Sequence, residues 1–143
     1  MKSFTANQLG RLHFIYLGKG EDLLINIREE VERLGIKSGI VVSGIGTFNK
    51  AIFHYIGTVE DKSTDIFKTV EGPMELACIQ GLVLEGKPHL HIVFSEVDKT
   101  YAGHLEEGCI IQYLAEIAIL EVMDLPVGRV AGDFGVPYMD YLK

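Results

Sequence analysis

The chain has 143 residues, 48% apolar and 23% charged, which excludes a disordered or fibrous polymer and suits one domain spanning residues 1–143. Thirteen basic against twenty acidic residues leave a formal charge of −7, and the lysines stand singly, so no basic arm is offered to a phosphate backbone. No apolar run is long enough to span a bilayer, and the opening Met1-Lys2-Ser3-Phe4 is not leader-like, so a soluble, cytoplasmic protein without a membrane partner is expected.

The first predicted element is a short strand over Leu12–Leu17, closed by Gly18-Lys19-Gly20. Leu23, Leu24, Ile27, Val31 and Leu34 then recur at the helical period, which predicts an amphipathic helix over about 21–34. Glu21 and Asp22 fall in its first turn, where the helix dipole favours negative charge, and Gly35 follows where a left-handed cap is expected. The outward Arg28, Glu29, Glu30, Glu32 and Arg33 read as a solvated face.

Strands are predicted over 38–45 and 51–59, with Gly44-Ile45-Gly46-Thr47-Phe48-Asn49-Lys50 supplying turn or bulge chemistry between them. A possible strand at 66–70 is followed by a turn at Glu71-Gly72-Pro73. Further strands are expected at 76–84, 89–97 and 109–122, with 85–88 and 98–108 as connections. Connections this short imply antiparallel neighbours, because parallel ones need crossovers of about a dozen residues. The class is α+β: a largely antiparallel sheet with one main helix. Residues 123–143 are rich in Gly and Pro yet too apolar for a free tail, so they are expected to pack on their own subunit or a neighbour. Cys78 and Cys109 read as buried thiols.

Chemistry concentrates in His89-Leu90-His91 and His104. On a strand, residues two apart share a face with Cα atoms about 6.6–7 Å apart, so two imidazoles can converge on one ion. A return turn would carry His104, beside Gly103, to the same sheet end. Three neutral imidazoles favour Zn, Ni, Cu or Fe over Mg or Ca, and leave an open coordination position for water, an anion or a small molecule. Glu116, a charge inside the apolar strand 109–122, is a candidate acceptor for a histidine N–H or a general base, or else an edge-exposed or intersubunit glutamate. His13 and His54 read as hydrogen-bonded strand histidines, and Glu106 and Glu107 as a solvated turn.

These residues, in this order, resemble the plants-and-prokaryotes conserved (PPC) domain. The resemblance spans roughly residues 8–122 and rests on Gly20-Glu21-Asp22-Leu23, Gly35-Ile36, Val42-Ser43-Gly44-Ile45-Gly46, Glu75-Leu76, Gln80-Gly81, His89-Leu90-His91, Gly103-His104-Leu105, Gly108 and Glu116-Ile117. It implies an antiparallel α+β domain that assembles as a homotrimer, and it carries metal binding, zinc or another divalent transition metal, onto His89, His91 and His104. Plant relatives join the domain to DNA-gripping AT-hooks, which makes a DNA-associated regulator or scaffold the alternative. This chain has no Arg-Gly-Arg-Pro hook, which together with its charge argues against direct nucleic-acid contact. Whether the metal would serve an enzyme acting on a small molecule is left open by the sequence.

Overall fold

The apolar stripe at 23–34 forms the helix that its spacing predicts, α1 (Leu23–Leu34). In the computed structural model, which describes residues 1–143, Leu23, Leu24, Ile27 and Val31 are buried against a sheet. Each such side chain contributes about 1.5–3 kcal/mol relative to an exposed one. Asp22 is the cap rather than a first-turn residue: its extended backbone (φ −83°, ψ 125°) lets the carboxylate accept from Ile25 N–H at 3.0 Å. The other carboxylate oxygen accepts from Gly108 N–H at 2.6 Å, tying the helix start to the distant turn before the last long strand. Gly35 closes the helix in the left-handed region at φ 70°.

The sheet comprises β1 (Leu9–Gly18), β2 (Ser38–Ile56), β3 (Asp65–Leu84), β4 (Lys87–Ser95), β5 (Thr100–Leu105) and β6 (Ile110–Val122), in the order β1-β6-β2-β3-β4-β5. Every pairing is antiparallel. β5 also pairs with the end of β2 (Phe53 with Leu105, His54 with His104), so β2, β3, β4 and β5 close into a ring. Its interior holds Phe48, Phe53 and Phe94, with edge-to-face contacts at 5.9 and 5.3 Å, and Tyr101 stacked on Phe94 at 5.1 Å.

Three expectations are corrected here. The strands expected at 38–45 and 51–59 are one, because, of the two alternatives expected at Gly44–Lys50, turn or bulge, the chain forms bulges in a continuous β2. Likewise 66–70 and 76–84 are one strand: opposite Phe48 to Lys50, β3 advances from Met74 to Glu71, so Glu71-Gly72-Pro73 forms a bulge. A bulge leaves a residue outside the ladder, which suits proline's missing N–H and bends the strand without ending it. The connection 98–108 contains β5, so His104 lies on a strand and not in a turn.

Gly81 carries a backbone requirement next to the histidines. Its φ is +146°, and a Cβ there would meet His89 O at 2.1 Å. Gly81→Ala is therefore expected to lower unfolding free energy by more than about 2 kcal/mol, read from the midpoint of urea denaturation.

At the other edge, Glu121 is buried and accepts from Arg11 N–H at 3.0 Å and from the Arg11 guanidinium at 2.8 and 3.0 Å. The Arg11 hydrogen bonds hold its carboxyl down at about 2. A depressed carboxyl stabilises the fold above its unfolded value, and that stability is lost as pH falls toward 2. Denaturation midpoints measured below pH 5 should fall steeply in the native chain and less steeply in Glu121→Gln, about 5 being where unfolded carboxyls begin to protonate. His13, expected to be hydrogen-bonded, lies 3.3 Å from Glu121, but its enclosed Nε2 has no aligned partner.

The C-terminal stretch packs on its own subunit as a hairpin of β7 (Val127–Val130) and β8 (Tyr138–Tyr141). Val127 is buried, Ser38 Oγ donates to Leu125 O at 3.3 Å, and the Phe4 and Tyr141 rings meet at 5.0 Å. Both cysteines are free; Cys109 is buried and Cys78 only half-buried. No helix is long and apolar enough to cross a membrane.

Candidate metal centre

Alternation along β4 puts Leu90 and Ile92 into the core and His89 and His91 on the opposite face. β5 returns antiparallel and sets His104 directly opposite His91, while β2 sets His54 directly opposite His104. Four imidazoles thus share one patch. Ring centroids lie 5.6 Å apart for His89 and His91, 4.7 Å for His89 and His104, and 5.3 Å for His91 and His104. One nitrogen from each of these three rings lies within 4.8 Å of the others. The convergence expected from the sequence is present.

Gly103 makes the approach of β5 to β2 possible. A Cβ at that position would lie 2.7 Å from His54 O, so the requirement is closeness of strands.

Burial and the neighbouring imidazoles lower the basicity of His104 to about 4. His89 is lowered too, by burial first and then by Arg129, whose guanidinium donates to Leu82 O and Lys87 O beside it. Rings that resist protonation keep nitrogen lone pairs free near neutral pH, the form a metal requires.

His54 is the hydrogen-bonded strand histidine expected from the sequence, but it also joins the histidine patch, and the expectation for Glu106 is corrected. His54 stacks on His104 at 4.5 Å, and its Nδ1 lies 2.7 Å from Glu106 Oε1. Glu106 is only 28% exposed in its side chain, not a solvated turn, whereas the exposed Glu107 pairs with Arg28. Glu106 sits two residues beyond His104, and that strand spacing was the available signal. Glu116 is not brought to the histidines. It is exposed on β6, opposite Tyr16 and Ile45, on a surface shared with Phe14. Glu75 is also exposed and stands apart from the cluster.

A family model described as the Plants and Prokaryotes Conserved (PCC) domain matches residues 4–123. Among solved structures, a plant- and prokaryote-conserved (PPC) protein of Pyrococcus horikoshii is 28% identical, with a TM-score of 0.83 covering 100% of this chain and 99% of that one. A metal-containing protein of Archaeoglobus fulgidus is 24% identical, with a TM-score of 0.83 covering 100% of both chains, a likeness that speaks for the fold alone. The bifunctional protein GlmU of a Synechococcus strain is 23% identical over 120 residues, 83% of this chain. The chain spans only 18% of that relative's length.

Proposed function

The chain belongs to the Plants and Prokaryotes Conserved (PCC) domain family, and from that premise we propose that it is a homotrimeric protein holding a divalent transition metal on His89, His91 and His104. The carrying observation is the meeting of three imidazole nitrogens within 4.8 Å on one sheet face. That separation suits ligands held at about 2.0–2.1 Å from one ion. The Archaeoglobus fulgidus neighbour of the same fold, a metal-containing protein, supports the reading. Neutral nitrogen ligands favour zinc, with nickel, copper and iron as competitors. When bound, such a metal supplies Lewis-acid polarisation to a small molecule at its open position. The histidines fix the place, and His104, braced between His54 and His89, supplies the central ring.

Self-association is supported by the outer face of β1, β6 and β2. Phe14 is 80% exposed, Tyr16 67% and Ile45 49%, an apolar patch of the kind that marks an interface. Glu116 stands within it and is assigned no proton chemistry in one subunit. Direct duplex binding is not part of this reading, since a trimer triples the charge of −7. A gel-shift titration at low salt should show no retardation that added salt relieves.

Metal analysis of protein purified without a histidine tag, before and after adding zinc, tests the proposal. About one equivalent per subunit is expected, and less than about a tenth after zinc addition overturns it.

A further inference from the structure

His54 and Glu106 take no part in the three-histidine assignment, yet their atoms meet the same ring. One nitrogen each of His54 and His104 and a carboxylate oxygen of Glu106 lie within 4.8 Å of one another. We propose that His54, His104 and Glu106 form a second divalent-cation site, of two imidazoles and one carboxylate, sharing His104 with the first. The inference rests on the preceding reading only through that shared ring.

The chain builds this set from two strands. His54 lies on β2 opposite His104, and Glu106 follows β5 on the face that His104 occupies. The backbone there is tied down: Glu106 N–H donates to Ile52 O at 3.2 Å, and the buried Cys109 thiol bonds the same residue's backbone at 3.1 and 3.2 Å. All three ligand side chains are half-buried, so water competes with them less than at the exposed His91.

Charge distinguishes the two sets. An imidazole ligand brings no charge of its own, whereas a carboxylate ligand brings one, and Asp65 Oδ1 lies 3.9 Å from His54 Nε2. A carboxylate beside two imidazoles suits a harder ion such as Mn(II), which nitrogen ligands alone hold less well. The two sets are alternatives for the one lone pair of a neutral His104 ring: three imidazoles for zinc on the β4–β5 side, two imidazoles and a carboxylate for manganese on the β2–β5 side.

Mn(II) binding, followed by loss of the free-ion electron paramagnetic resonance signal, tests this. His91→Ala, which removes a ligand from the first set only, should keep Mn(II) affinity within about tenfold of the native chain; adding Glu106→Gln should weaken it by at least about tenfold more. Circular dichroism confirms that both variants fold. The inference is overturned if folded His91→Ala binds no Mn(II), or if Glu106→Gln leaves its binding unchanged, as it would were Glu106 only orienting the His54 ring. Should the native chain still take up zinc in that event, the three-histidine reading stands; should it take up neither ion, both fall.

Discussion

Replacing His104 by alanine is expected to abolish uptake of zinc and of manganese alike, weakening each by more than about 100-fold. The reason is position. His104 lies 4.5 Å from the His54 ring, 4.7 Å from His89 and 5.3 Å from His91, so it belongs to every ligand set the patch can form. Two remaining imidazoles hold a divalent ion poorly at micromolar concentration. Stability of the metal-free chain should change little by comparison, because the ring is only half-buried. Isothermal titration calorimetry reads the affinity, and a thermal melt of the metal-free variant checks the fold. Zinc affinity within about tenfold of the native value would place the metal elsewhere.

The second large effect is on assembly. If the chain is the proposed trimer, Phe14→Asp is expected to convert it into monomers, visible as a drop to one third of the mass in sedimentation equilibrium. Phe14 is 80% exposed within one subunit, so the monomer itself should lose no more than about 0.5 kcal/mol. In the proposed assembly the same change would bury a carboxylate among Tyr16, Ile45 and their counterparts, at a cost of several kcal/mol per copy. If Phe14→Asp remains trimeric, the apolar face of β1, β6 and β2 is not the interface. If the native chain is itself a monomer, the trimer proposal is wrong.

Much of the frame was legible because it is written in local periodicity. Leu23 to Val31 declare the helix, Gly35 ends it, and His89-Leu90-His91 declares an exposed pair on a strand with Leu90 inward. The misread strand boundaries have one physical origin: the punctuation residues at Gly44–Lys50 and at Gly72-Pro73 bend long strands without ending them. Sequence alone does not separate a bulge from a turn, because both use glycine and proline for the same torsional reasons. β5 was missed because six residues interrupted by Gly103 show no clear alternation. His54 was set aside because its significance arises from pairing with His104, fifty positions away, through the ring closure of β2 on β5. Glu106 was dismissed with it, although its spacing from His104 was visible. Glu116 drew notice as a charge in an apolar strand, and the structure gives a simpler reason for tolerating it: that face of β6 is exposed in the subunit.

Anomalous diffraction from crystals grown with zinc, collected on both sides of the zinc absorption edge, tests the central claim most directly. The account predicts one strong peak per subunit at about 2.0–2.1 Å from a ring nitrogen of each of His89, His91 and His104. A map with no peak there, or with its only peaks at surface carboxylates such as Glu116, would contradict it.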